Sequence, residues 1–364
     1  MRVLIDPQAF LVQRVGGVSR LFAELAKGLD RSDDVDLVLP LGLTRTEYLH
    51  RYFPDRMRLV ESDSRFLRGR ALGAVNAVTR LPPKPVDIVH STYYWPQYKN
   101  AYRARKRITT VFDMIPELMP ELHEPGPNPH RSKRDYVDAA DAIVCISETT
   151  KADLLSCWGD PGKPVHVAYL GVDSTFFSPR PPVVELPETY VLFVGMRSTY
   201  KNFTLLADAF VEMAGASPDL HLVAVGGGPF DAEETEFFDR HGLSDRVHQM
   251  RVSDADLPGV YAGAACLVFA SRYEGFGLPV LEAFAARCPV IVADTPCLVE
   301  VAGGLATVVS PDDPTQLASA LKALVGDVAP DTTRLDSAQS RAAEFTWERM
   351  VAENLAIYRQ TLDA

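Results

Sequence analysis

An apolar run, Cys266-Leu267-Val268-Phe269-Ala270, leads through a glycine-framed turn, Gly275-Phe276-Gly277, into Leu278-Pro279-Val280-Leu281-Glu282-Ala283. The run reads as a buried strand. Pro279 stands where a first-turn proline is tolerated, so the whole segment reads strand, tight turn, helix. That arrangement is also an anion site, because backbone N–H groups at the helix start point outward and the helix dipole favours negative charge. A carboxylate stands on each side of the turn: Glu274 before the glycines, Glu282 further along the helix. A phosphate cradle flanked by two hydroxyl-accepting carboxylates suits a nucleotide-sugar, which carries a diphosphate between two polyols. The plain alternative is an ordinary strand–helix turn with two solvated glutamates, reasonable for either Glu alone and poor for the whole string.

Short apolar runs alternate with helical patterns along all 364 residues, the α/β signature with a largely parallel sheet. Strands are predicted over 2–5, 35–39, 86–90, 108–112, 142–146 and 165–168, with helices over 18–29, around 128–139 and over 148–157. In the second half, strands are predicted over 190–194, 220–225, 247–250, 265–269 and 290–292, and helices over 203–214, 232–241 and 278–286. The proline-dense stretch 178–187 has no hydrophobic period and reads as a linker. The length suits two domains of ordinary size. Two doubly wound, Rossmann-like domains joined there, 1–178 and 188–345, would turn the C-terminal ends of their strands to a cleft, where open α/β sheets bind ligands. In the last segment, 346–364, Met350, Val351, Leu355, Ile357 and Tyr358 recur at helical spacing.

Composition narrows the partners. A formal net charge of −11 argues against a nucleic-acid binder, which would carry a basic face. An acidic chain that binds an anionic donor must gather positive groups locally. Arg197 and Lys201, just beyond the strand over 190–194, are the candidates; Arg can hold phosphate bidentately, whereas Lys acts as a point charge. Two solvated surface cations are the alternative. The five cysteines are odd in number and show no metal-type spacing, so they read as buried small hydrophobes in a reducing compartment. Met1-Arg2-Val3-Leu4-Ile5-Asp6-Pro7 is too short and too soon charged for a signal peptide. No apolar run approaches the ~20 residues needed to span a bilayer. The expected location is the cytoplasm.

Glu274 and Glu282 around Gly-Phe-Gly-Leu-Pro form a Glu-x7-Glu string that resembles the signature of the retaining glycosyltransferases of family four, which have the GT-B fold. Further blocks agree in order. They are Gly16-Gly17-Val18-Ser19-Arg20, Ala140-Asp141-Ala142-Ile143-Val144-Cys145-Ile146-Ser147-Glu148, Tyr169-Leu170-Gly171-Val172-Asp173, Leu192-Phe193-Val194-Gly195-Met196-Arg197 with Lys201-Asn202, and Val223-Ala224-Val225-Gly226-Gly227-Gly228-Pro229. No single block decides, but the ordered set spans most of the chain. The resemblance implies a donor nucleotide mostly on the second domain, an acceptor mostly on the first, and a terminal helix that crosses back to the first. It implies transfer of a hexose from a nucleoside-diphosphate sugar to a hydroxyl with retention at the anomeric carbon. It also implies no cofactor and no metal, the nucleotide-sugar being a co-substrate; no Asp-x-Asp pair stands where a metal would be expected.

At matching positions the resemblance gives Glu282 the ribose hydroxyls, Glu274 the hydroxyls of the transferred sugar, and Arg197 and Lys201 the departing diphosphate. Gly16 and Gly17 would lie beside that diphosphate, where backbone can approach closely. Gly195, Gly275, Phe276, Gly277 and Leu278 complete the donor set. One departure stands out in Thr110-Val111-Phe112-Asp113-Met114-Ile115-Pro116-Glu117. Many relatives have a His-Asp pair here; this chain has Phe112 and keeps Asp113. Asp113 can bind a sugar or acceptor hydroxyl, or simply cap the following turn. His90, at the end of its strand, is expected to face the cleft or pack beside it. The polar, aromatic run His90-Ser91-Thr92-Tyr93-Tyr94-Trp95 suits stacking on a sugar, with Tyr93 as the candidate.

The basic stretches 65–72 and 99–107 can dock on anionic lipid at the inner membrane face, or form solvated surface. The expected donor sugar is mannose or a related 6-deoxyhexose carried by GDP, with UDP-linked sugars second. The expected acceptor is a saccharide or its lipid-linked precursor. Two rivals stay open: a nucleotide-sugar 2-epimerase of the same architecture and a non-catalytic nucleotide-sugar-binding subunit.

Overall fold

The computed structural model describes residues 1–60, 76, 84–122, 128–197, 199–325 and 331–364; the basic segment 65–72 lies outside them. The chain divides into two units. The first comprises Met1–Gly171 and Trp347–Ala364, the second Val172–Thr346.

The first unit contains β1 (Arg2–Ile5), β2 (Asp36–Val38), β3 (Leu43–Thr44), β4 (Arg58–Leu59), β5 (Val86–Ser91), β6 (Ala104–Val111), β7 (Ala142–Cys145) and β8 (Val165–Val167). Six of them form one parallel sheet in the order β2-β1-β5-β6-β7-β8, and β3 pairs with β4 apart from it. Its helices are α1 (Gln8–Val12), α2 (Gly17–Asp30), α3 (Glu47–Tyr52), α4 (Ile115–Leu118), α5 (Lys133–Ala139) and α6 (Glu148–Trp158). The helix expected around 128–139 is split: a 3-10 turn, Pro129–Ser132, precedes α5.

The second unit runs β9 (Thr189–Val194), α7 (Phe203–Ala214), β10 (Leu220–Val225), α8 (Ala232–Arg240), β11 (Val247–Met250), α9 (Leu257–Gly263), β12 (Cys266–Phe269), α10 (Leu278–Ala285), β13 (Val290–Ala293), α11 (Pro296–Ala302), β14 (Thr307–Val309), α12 (Pro314–Val325) and α13 (Thr332–Ala343). Its parallel sheet has the order β11-β10-β9-β12-β13-β14. Strands covered on both faces read as unbroken apolar runs. That is the case for Val191-Leu192-Phe193 of β9 and for all of β12 and β13, which are buried throughout.

Strand order reverses between β9 and β12 in the second sheet and between β1 and β5 in the first. Side chains on the loops leaving those strands are therefore brought together at the carboxyl end, where doubly wound sheets take ligands.

The segment 172–178, assigned to the first half on the sequence, packs with the second unit: Phe176 is buried against the Tyr261 ring, with centroids 5.7 Å apart. The proline-dense stretch after it lies on α9. A Cβ at Gly259 would stand 2.2 Å from the Arg180 carbonyl oxygen, so only glycine admits this approach. Val183 N–H donates to Asp256 Oδ1 at 3.2 Å beside it.

The last helix, α14 (Trp347–Asp363), belongs to the first unit and packs on α2, β5 and β6. Trp347, Met350, Ile357 and Tyr358 are its buried apolar face.

Candidate active site

In the second unit, β9 ends at Val194, and Lys201, further along the chain, lies at the end of β12. Asn202 anchors the turn at Lys201. It adopts left-handed backbone (φ 59°) and donates from Nδ2 to the carbonyls of Ala270, at 3.1 Å, and Pro311, at 2.8 Å. Arg272 N–H donates to the Tyr200 carbonyl at 2.8 Å. The two loops flanking the switch point are thus stitched together. As a result Lys201 Nζ meets Glu274 Oε1 at 2.5 Å, with side chains 16 % and 11 % exposed. The Lys201 ammonium also lies 5.2 Å from the Phe269 ring centroid. A charge pair this shielded interacts more strongly than one in open water.

The turn Gly275-Phe276-Gly277 starts α10. Gly277 is its N-cap at φ 105°, and a Cβ there would also meet Leu298 Cδ2 at 2.9 Å, so the position admits glycine alone. Phe276, one of the expected donor set, turns its ring inward. Its side chain is buried against Phe345, centroids 6.0 Å apart, and its carbonyl accepts from Cys297 Sγ. Leu278 opens the helix with Pro279 in the first turn. Glu282 is buried, and its Oε2 accepts from Tyr261 Oη at 2.9 Å.

Arg197, expected at the departing diphosphate, is engaged within the protein. Its side chain is only 5 % exposed and forms a bidentate pair with Glu234 through Nε at 2.7 Å and Nη2 at 3.1 Å. Nη1 donates to the Gly226 carbonyl and Nη2 to those of Gly228 and Pro229. The guanidinium lies 4.7 Å from the Phe230 centroid. A planar fork with five donors suits such bracketing of a loop. Lys201 is the cation paired with the two-carboxylate turn, and Arg197 is paired with Glu234.

In the first unit, Gly16 is the N-cap of α2 with extended backbone (φ 167°), a conformation open to any residue, and Gly17 is exposed. Gln13 Oε1 accepts from Ser19 N–H at 3.2 Å, so a side-chain amide already caps this helix start. His90 does not face solvent. It is fully buried, with Nδ1 2.6 Å from Tyr358 Oη of α14 and Nε2 2.7 Å from Thr110 Oγ1. Burial pushes its pKa down to about 3, so the ring is neutral and acts as a tie. Phe112 is buried in an aromatic group with Phe22, Tyr93 and Tyr94. Tyr93 stacks on Tyr94 and its hydroxyl lies 3.1 Å from His130 Nε2, a partner that nothing in the sequence had singled out.

Asp113 takes the capping role: Oδ1 accepts from Ile115 N–H at 3.1 Å. The buried Lys133 ties the same loop through the Asp113 carbonyl at 2.8 Å and Glu117 Oε2 at 2.7 Å. In the basic stretch 99–107, Arg105 pairs with Asp87, Lys106 with Asp141, and Arg107 holds the carbonyls of Lys99 and Tyr102. These cations are engaged within the unit.

Asp6, at the end of β1, is buried and accepts from Gln8 and Thr92. Burial raises its pKa from 3.8 to about 6. The unfolded chain therefore sheds this proton first, and the folded state loses stability as pH rises from about 4 to about 6. Asp6→Asn removes the group. Urea titrations at several pH values should show wild type losing about 3 kcal/mol relative to the variant over that interval. A difference independent of pH would contradict the buried acid.

Among the described residues no group of three or more His, Cys, Asp or Glu is placed to hold a metal ion. Likewise, among them no helix is long and apolar enough to cross a membrane.

With this geometry in place, two family comparisons agree. Residues 15–176 match the family described as Glycosyltransferase Family 4, and residues 188–327 match that described as Glycosyl transferases group 1. The chain is a family-four-type glycosyltransferase. This glycosyltransferase is 24 % identical over 281 residues to the O-antigen chain mannosyltransferase B of Escherichia coli, covering 73 % of this chain and 74 % of the relative. Among solved structures it resembles sucrose-phosphate synthase from Thermosynechococcus elongatus, with TM-score 0.73, 19 % identity and coverage of 99 % and 98 %. It also resembles the Anabaena protein HepE in complex with UDP and glucose, with TM-score 0.71, 17 % identity and coverage of 98 % and 99 %. These likenesses show the fold, which is GT-B.

Proposed function

We propose that this glycosyltransferase moves a hexose from a nucleoside-diphosphate sugar to a hydroxyl of a saccharide or lipid-linked saccharide, with retention at the anomeric carbon and without a metal. The observation that carries the reading is the shielded Lys201–Glu274 pair at the start of α10, with the buried Glu282 on the same helix. A diphosphate at that helix start gains the outward N–H groups and the Lys201 charge. Glu274 accepts from hydroxyls of the transferred sugar, and Glu282 from the ribose.

In the reaction the bond from the anomeric carbon to the β-phosphate oxygen breaks. The acceptor oxygen forms its bond on the same face, and its proton passes to that phosphate oxygen. Charge develops on the leaving diphosphate, and Lys201 is the fixed cation that offsets it. Arg197 holds the glycine loop through which β10 leads into α8. The similarity to a mannosyltransferase supports mannose as the transferred sugar; GDP is the proposed carrier, with UDP, which the HepE complex contains, second.

The test is a thermal-shift screen of GDP, UDP and their sugars, followed by transfer assays with the donor that binds, with and without EDTA. Stabilisation by one nucleotide, a product that keeps the donor's anomeric configuration and unchanged activity in EDTA are expected. An inverted product or a strict need for Mg²⁺ or Mn²⁺ contradicts the mechanism. Interconversion of donors without any acceptor favours the 2-epimerase.

A further inference from the structure

Glu282 is the fifth residue of α10 and only 5 % exposed. A carboxylate is costly to bury unless hydrogen bonds satisfy it. One of those bonds comes from Tyr261, the fifth residue of α9, whose hydroxyl donates to Glu282 Oε2 at 2.9 Å. Tyr261 is itself fully buried and closely held. Its ring meets Phe176 edge-on, at 5.7 Å and 64°. The stretch around Arg180–Pro182 lies against Gly259 of the same helix, half a turn away. The hydroxyl is therefore presented from a fixed place, and the carboxylate it holds has one oxygen fixed in turn.

We propose that Tyr261 is a positioning residue for nucleotide binding: by holding one Glu282 oxygen, it orients the carboxylate toward the 2′ and 3′ hydroxyls of the ribose. The proposal rests on the reading of Glu282 as the ribose acceptor. An acceptor already oriented needs no reorganisation when the hydroxyls arrive, and that saving appears as affinity. With phenylalanine at 261 the ring still fills its place while the donor to Glu282 is lost.

The experiment is calorimetry of wild type, Tyr261→Phe and Glu282→Ala with the nucleoside diphosphate found by the screen, GDP or UDP, and with its 2′,3′-dideoxy analogue. Circular dichroism melts confirm folding. Tyr261→Phe should weaken the ribonucleotide by about three- to tenfold, the worth of one hydrogen bond, and leave the dideoxy analogue within about twofold of wild type. Glu282→Ala should show a larger loss with the same selectivity. A merely looser pocket would weaken both nucleotides alike in Tyr261→Phe, and that result overturns the proposal. A ribose-selective loss in Glu282→Ala with none in Tyr261→Phe also overturns it. No loss in Glu282→Ala instead removes the ribose reading beneath it.

Discussion

Lys201→Ala should lower kcat by about a hundredfold or more at saturating donor, because a fixed charge aimed at the leaving group is worth several kcal/mol in the transition state. The pair geometry explains why the effect falls on turnover. Lys201 is held by Glu274 and by the Asn202 anchor before any substrate arrives, so little reorganisation accompanies the reaction. The fold should survive, since the ammonium lies at a loop and is not fully buried. Steady-state kinetics with one donor and one acceptor, beside a melting curve, give the answer. Turnover within a few-fold of wild type would make Lys201 a surface cation and move the search to Arg197, which would then have to leave Glu234.

The second large effect concerns stability. Tyr358→Ala should destabilise the first unit by about 3–5 kcal/mol, the usual cost of truncating a buried aromatic side chain to Ala. In a unit of this size that corresponds to a fall of roughly 10 °C in melting temperature. Two losses combine. The side chain is fully buried between α14 and the sheet, and its hydroxyl is a partner of the buried, neutral His90. Tyr358→Phe keeps the volume and should cost only about 1 kcal/mol. Equal melting curves for wild type and Tyr358→Ala would mean that α14 contributes nothing to the unit on which it packs.

Much of the scaffold was legible in the sequence because its strands are covered on both faces. Runs such as Val191-Leu192-Phe193 and Cys266-Leu267-Val268-Phe269 have no other simple reading. β14 escaped notice, being a strand of only three residues with Val308 exposed. The two-carboxylate turn was legible because strand, glycines, proline and glutamates follow one another within a short stretch. What stayed hidden depends on partners far away in the chain. For His90 the mouth and the packed wall were equal readings on the sequence; its partner Tyr358, 268 positions on, shows the packed one. Arg197 looked like a free cation until Glu234, 37 positions away, took its fork. Tyr261 sits in a short apolar helix where nothing marks its hydroxyl. For Asp113 the sequence offered a hydroxyl partner or a cap, and the Ile115 N–H contact supplies the cap.

The first unit is discontinuous in sequence, since α14 completes it after the second unit has been threaded in between. Domains usually fold as they leave the ribosome, the N-terminal one first. Here that order is inverted. When residue 346 has emerged, the second unit has its whole sheet, while the first still lacks the helix that covers His90 and the surface of α2. The earlier half therefore stays incompletely covered until residues 347–363 have followed. A ribosome that stalls after residue 346 would hold a second unit with its whole sheet and a first unit without its final helix, a species that exposes apolar surface to chaperones.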